Sequence, residues 1–292
     1  MKKNKTKYYI LFIISAAMIF SLIPLDIDLF NSNPTFGLVT INEPITSSRE
    51  IVSQLNEFKN NNKIEGIILH LNTPGGAVAP SQEIYEKVKS ISEGNSKPII
   101  ASMGSIATSG GYYIAIGADT VIANKGTLTG SIGVIMNYPI FIDFLENYGI
   151  DYKTIKSGKF KDSGSGFRNA TIQDSLYFQD VVNDMYNQFT DVLKYERNLS
   201  DDSISAIANG QVYTGAQAKK LNLIDILGTL DDSIELLLKL TGNSNKTANI
   251  IDANKEEFSL FNVLFNQLSK IIPINKILLF PLPEFKLYYN GY

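Results

Sequence analysis

Ser109 stands between Thr108 and the pair Gly110-Gly111, where an extended apolar stretch gives way to the helix-compatible run Tyr112-Tyr113-Ile114-Ala115-Ile116. A hydroxyl at the first turn of a helix faces backbone N–H groups that have no intrahelical acceptor, and such groups favour developing negative charge. The two glycines remove side chains that would block an acyl group, and the Gly110 N–H can face a carbonyl oxygen under attack. Gly76, in the turn Asn72-Thr73-Pro74-Gly75-Gly76, is the candidate second donor. A tetrahedral oxyanion needs two donors about 3 Å from one point. The chemistry that these residue types support is acyl transfer through a serine nucleophile. The plainer role for the same residues is structural: glycine pairs permit tight turns, and serine caps helices.

A nucleophilic serine also needs a base. The chain has one histidine and no cysteine, which excludes cysteine nucleophiles, thiolate zinc sites, iron-sulfur clusters and most histidine-based metal sites. His70 lies in the apolar stretch Ile67-Ile68-Leu69-His70-Leu71, close to the Gly75-Gly76 turn. It is either the partner of a Ser-His pair or a strand residue, and nothing in the sequence brings it to Ser109. Lysine is the other candidate base, and it serves only where its surroundings lower its pKa from about 10.4 toward 7. Composition offers many lysines and selects none.

These groups need a scaffold. The 292 residues are 44% hydrophobic and 19% charged, with 26 basic against 29 acidic side chains. That balance fits a globular domain and argues against disorder or a broad nucleic-acid footprint. Residues 8–25 carry no charge, follow Lys2, Lys3, Lys5 and Lys7, and precede Asp26 and Asp28. As a helix this stretch is about 27 Å long, enough to cross a bilayer, and the lysines predict a cytoplasmic N-terminus with the rest of the chain on the far side. A cleaved signal peptide, with Ser15-Ala16-Ala17 as its small-residue site, is the rival reading; both export the domain. Three regions are expected: lysines and anchor over 1–30, a catalytic-type domain over 31–250, and a tail over 251–292. Strands are expected at Phe36–Ile41, Ile64–Leu71, Pro98–Met103, Thr120–Ala123 and Ile132–Met136, and helical patterns lie between several of them. Further helical patterns cover Thr171–Arg197, Thr214–Leu221 and Asp231–Leu240. This alternation predicts an α/β fold. In the tail, Phe258, Phe261, Phe265, Leu268 and Ile272 recur at helical spacing, which predicts an amphipathic helix, and Pro273, Pro281 and Pro283 then break regular structure.

Taken in order, several segments are specific. Leu71-Asn72-Thr73-Pro74-Gly75-Gly76 is followed by Ala107-Thr108-Ser109-Gly110-Gly111-Tyr112-Tyr113 and by Thr129-Gly130-Ser131-Ile132-Gly133-Val134. Ser157-Gly158-Lys159-Phe160-Lys161-Asp162, Gly210-Gln211-Val212-Tyr213-Thr214-Gly215 and Leu223-Ile224-Asp225 complete the series. With these segments the chain resembles the signal peptide peptidase A family in its short, single-repeat form, from the anchor to about Leu240. The resemblance implies a ClpP/crotonase-like fold, a repeated β-β-α superhelix with an N-terminal transmembrane helix. It makes Ser109 the nucleophile, Lys161 the general base and Ser131 the hydroxyl that orients the lysine, with Gly76 and Gly110 as oxyanion donors. Lys159 is the competing base. The 52-residue separation of Ser109 and Lys161 suits this family and not the Ser-x-x-Lys spacing of penicillin-binding proteins.

The resemblance further implies a homo-oligomer on the membrane, with sites shared between protomers. Substrates would be signal-peptide remnants and other unfolded apolar peptides, with no metal, organic cofactor or nucleic acid involved. A non-catalytic oligomeric scaffold of the same fold and a crotonase-like acyl-CoA enzyme are the alternatives. The chain departs from the family pattern at Thr73, at His70 and in the run Ser163-Gly164-Ser165-Gly166 just after Lys161.

Overall fold

The structure, a computed structural model, describes residues 33–94 and 97–254. The expected anchor over 8–25 and the amphipathic helix over 258–272 lie outside the described residues. Among the described residues no helix is long and apolar enough to cross a membrane.

The described chain runs β1 (Thr35–Ile41), α1 (Arg49–Asn60), β2 (Ile64–Thr73), α2 (Val78–Ser92), β3 (Ile99–Thr108), α3 (Gly110–Ala115), β4 (Thr120–Ala123) and β5 (Leu128–Gly130). It continues with α4 (Ile142–Asn147), α5 (Ile172–Arg197), α6 (Asp201–Ile207), β6 (Val212–Thr214), α7 (Gly215–Lys220), β7 (Ile226–Leu227), α8 (Leu230–Leu240) and β8 (Asn249–Asp252). One mixed sheet has the order β6-β5-β3-β2-β1-β8, with β4 beside β3 and β7 beside β4. Every pairing is parallel except that of β5 with β6. The fold is α/β and consistent with a ClpP-like architecture.

The sheet is buried on both faces, as near-continuous apolar strands of a parallel sheet require. Along β2, Ile67, Leu69 and Leu71 enter the main core with α2 residues Ile84, Val88 and Ile91, while Ile68 joins Phe36, Ile100 and Ile122 under Leu237 and Leu238 of α8. Helix starts agree with their polar signals. Thr171, Thr214 and Thr229 each close a capping box at the N-termini of α5, α7 and α8.

Two of the differences from the expected strands bear on the site. First, β2 and β3 run on through Thr73 and Thr108. Their register shifts between Leu71 and Thr73, and there the Asn72 Oδ1 accepts the N–H groups of Ser105 (3.1 Å) and Ile106 (3.3 Å) in place of a ladder partner. The bulge thus lets β3 continue to the residue before Ser109. Second, residues 132–136 are not a strand. Gly130 (φ +80°) and Ser131 (φ +51°) turn the chain away from the sheet after β5, which has already taken the edge of β3 at Ile106–Thr108.

Candidate active site

Ser109 joins the end of β3 to α3 with φ +52° and ψ −120°, outside the regions that an L-residue with a side chain favours. It occupies the N-cap position of α3 by sequence, yet its side chain makes no capping bond. The hydroxyl is therefore available for other work. The backbone is pinned on both sides: the Ser109 N–H donates to Gly130 O at 2.8 Å, and the Ser109 carbonyl accepts from Tyr113 N at 2.9 Å. Strain of this kind persists where the surrounding structure over-determines it, and such residues cluster at functional sites.

Gly110, the first residue of α3, belongs to the turn whose N–H groups lack intrahelical acceptors. The Gly75-Gly76 turn packs directly against it: a Cβ on Gly110 would lie 3.3 Å from Gly76 N, and one on Gly75 would lie 2.7 Å from Gly110 N. Gly75 itself has φ +96°, and its N–H is held by Thr73 Oγ1 at 3.1 Å. An isolated parallel bridge with Ile45 fixes the far side of the turn. Its bonds use Gly75 O and Ala77 N (2.9 and 2.7 Å) and leave the Gly76 N–H out of the pairing. Gly76 and Gly110 thus pack against each other and line the same pocket as Ser109.

Ser109, Gly76 and Ser131 line one cleft of about 680 Å³, with Gly133 and Val134 on one wall and Val182 and Tyr186 of α5 on another. A small apolar pocket opens beside it between Val78, Tyr113, Val134, Met185 and Phe189. Ser131 is the second strained serine; its N–H donates to Gln211 O at 2.7 Å, which leaves its side chain at the cleft wall.

Neither candidate base shares this cleft. His70 is half-buried in β2, in register with Thr40 and Ser102. Burial pushes its pKa below the ordinary 6.5, and its Nδ1 is buried without a partner. It is a strand residue. Lys161 is exposed, in the segment between α4 and α5, and its N–H donates to Gly158 O at 3.2 Å. That segment is tied to Asp174 in the first turn of α5. Ser109, Ser131 and Gly76 line the cleft and Gly110 lines the pocket beside it, while Lys161 lines neither. Of the neighbouring lysines, Lys156 is paired with Asp162 at 2.6 Å and Lys159 lies 5.5 Å above the centre of the Phe160 ring. The Lys161 ammonium has no ion pair or hydrogen bond among the described residues.

The described residues contain no group of three or more acidic or histidine side chains able to hold a metal ion. Sequence reasoning missed the wall that α5 supplies. Its signal was present in Val182, Met185, Tyr186 and Phe189, apolar positions at helical spacing in the Thr171–Arg197 pattern.

Comparison with known proteins gives the family. Residues 35–125 match the Clp protease family model. A Synechocystis protein named as a candidate protease is 39% identical over 180 residues, covering 62% of this chain and 64% of its own. An Enterococcus faecium protein named as a candidate signal peptide peptidase SppA is 32% identical over 191 residues, 65% of this chain and 55% of its own. Protease 4 of Haemophilus influenzae is 29% identical over 209 residues, 72% of this chain and 34% of its own. The chain thus spans less than two thirds of the length of these relatives. Residues 92–243, just over half of the chain and the stretch that carries Ser109, Ser131 and Lys161, match the model of peptidase family S49, and the chain belongs to that family.

Proposed function

We propose that the chain is a serine endopeptidase of the signal peptide peptidase A type, working through a Ser109–Lys161 dyad without metal or organic cofactor. The observation that carries this reading is Ser109 itself: held in a strained turn, free of capping duty, and adjacent to two amides outside any ladder. In the proposed reaction, neutral Lys161 takes the hydroxyl proton as Ser109 attacks the peptide carbonyl, and the Gly76 and Gly110 amides hold the oxyanion. The lysine then protonates the leaving amine, and water releases the acyl group by the same route. Ser131 orients the lysine.

That Lys161 lines neither the cleft nor the pocket beside it supports a lysine supplied by a second copy of the chain. So do the large apolar side chains exposed between residues 135 and 176, the stretch of chain that carries Lys161: Ile135, Phe144, Tyr148, Ile155, Ile172 and Leu176 are each at least 60% exposed in the single chain. A surface of that extent belongs in an interface. The small apolar pocket supports substrates with small or apolar side chains, such as signal-peptide remnants, and residues 8–25 support a single-pass anchor with a cytoplasmic N-terminus.

The test is cleavage of a fluorogenic apolar peptide by the full chain in mild detergent. Ser109→Ala and Lys161→Ala should each abolish cleavage with assembly intact; activity surviving in both overturns the dyad. That Lys161 does not line the Ser109 cleft within one chain favours one second reading, a non-catalytic scaffold, which an inactive but fully assembled wild type would support.

A further inference from the structure

The run Ser163-Gly164-Ser165-Gly166, which departs from the family pattern, begins two residues after Lys161 and has two glycines to loosen it. The structure shows what holds it. Arg168, just past the run, reaches back with Nη2 to Asp162 Oδ1 at 2.9 Å and forks onto Asp174 with Nη1 to Oδ2 at 2.6 Å and Nη2 to Oδ1 at 3.0 Å. Asp162 is the residue after Lys161, and its second cation is Lys156 at 2.6 Å. Asp174 is the closing residue of the α5 capping box, bonded by Thr171 N at 2.9 Å and Thr171 Oγ1 at 2.7 Å, and it also accepts from Ser163 Oγ. The side chains of Asp162 and Asp174 are only 10% and 3% exposed. The paired cations hold the Asp162 carboxyl at about 2, well below the usual carboxylate range, so the bracket stays charged at any pH where a peptidase would work. A planar guanidinium that engages two carboxylates at once fixes direction as well as distance, which an ammonium does not.

Resting on the dyad reading above, we propose that Arg168 is a positioning residue for catalysis: by bridging Asp162 to Asp174 it locks the glycine-rich run onto the first turn of α5 and presents Lys161 in one orientation. Arg168 touches neither substrate nor Ser109; it acts through Lys161. The bracket also sets the field at the lysine. Lys156, Lys159, Asp162 and Arg168 are the charged groups flanking Lys161 in the bracketed segment, which packs on Asp174 and Tyr177 of α5, where Tyr177 stacks on Phe160 at 5.2 Å. Lys156 and Arg168 both pair with Asp162, the carboxylate next in sequence to the lysine.

The test is a pH profile of kcat and KM for the full chain on the fluorogenic apolar peptide. Arg168→Ala should lower kcat by about 100-fold, the scale of an ångström-sized misplacement, with KM within about twofold. Its ascending limb should move to higher pH by about half a unit, the sign expected when a cation near a lysine is lost. Asp162→Asn should move the limb the opposite way. Arg168→Lys keeps the charge but cannot bridge both carboxylates, so it should lower kcat and leave the limb in place. The proposal is overturned if Arg168→Ala has wild-type kcat while Lys161→Ala is inactive. It is equally overturned if the variants lose activity only in proportion to lost assembly, with the limb unmoved, which is the mark of a merely structural residue. A Lys161→Ala variant that stays active removes the dyad itself, a failure distinct from that of the bracket.

Discussion

Gly76 and Gly110 lie side by side, yet alanine at the two positions should fail for different reasons. A Cβ on Gly76 would lie 2.1 Å from Ile45 O, 2.5 Å from Ile45 N and 2.7 Å from Ile45 C. All three are backbone atoms, and Ile45 is bonded on both sides to the same turn. Relief requires breaking that bridge and moving the Gly76 amide. A Cβ on Gly110 instead meets Ser81 Oγ at 2.4 Å, with Ser81 Cβ at 3.2 Å behind it. Overpacking typically costs about 1–3 kcal/mol, and at this size each kcal/mol lowers Tm by about 2–4 °C. Gly110→Ala should therefore lose roughly 2–12 °C. Adding Ser81→Ala removes the clashing oxygen, along with its bond to Ala77 O, and should recover most of that loss. The same Ser81→Ala change should do nothing for Gly76→Ala. On the peptidase reading, displacing the Gly76 donor should also cut kcat by about 10²–10³. Differential scanning fluorimetry on the four variants, paired with peptide kinetics, reads both effects. A Gly76→Ala protein with wild-type Tm and kcat would refute the reasoning, as would a Gly110→Ala protein that Ser81→Ala fails to rescue.

Ser109→Gly should be more stable than Ser109→Ala by about 1–3 kcal/mol, because glycine adopts φ +52° freely; equal denaturation midpoints would mean that the turn stores no strain. His70 gives a pH-dependent component of stability. Its folded pKa lies below 6.5, so the unfolded chain binds more protons as the solution is acidified. The contribution is complete above pH 6.5 and declines as pH falls through 6.5 toward the folded value. Tm measured from about pH 7.5 to 5.5 should therefore fall more steeply in wild type than in His70→Gln, and parallel curves would contradict that. With a lysine base, kcat/KM should rise with pH; a flat profile between about pH 6 and 9 counts against it.

Much of the scaffold was legible in the sequence because its signals are local. The core strands announce themselves as apolar runs, and the threonines at 171 and 214 mark where α5 and α7 begin, whereas the cap of α8 is Thr229, two residues before the expected start at Asp231. The turn at Ser109 was readable from its glycines, although its positive φ was not, since strain is imposed by the bond to Gly130 and the packing of the Gly75-Gly76 turn. The extension of β3 past Met103 depends on Asn72 reaching across to Ser105 and Ile106. A pairing of side chain to backbone at that separation leaves no periodic trace. Residues 132–136 show the opposite error: their apolar pattern suits a strand, but Gly130 and Ser131 steer them to the cleft wall. The bracket around Lys161 joins charges six to eighteen residues apart and becomes visible only when the loop is closed.

The claim that the site is a dyad shared between copies is tested most directly by complementation. Ser109→Ala and Lys161→Ala chains, each inactive alone, would be co-expressed in equal amounts and the mixed oligomer assayed on the apolar peptide. If every site pairs a serine from one copy with a lysine from the next across a head-to-tail interface, random mixing restores about a quarter of wild-type activity. A mixed oligomer that assembles normally and stays inactive would contradict the account.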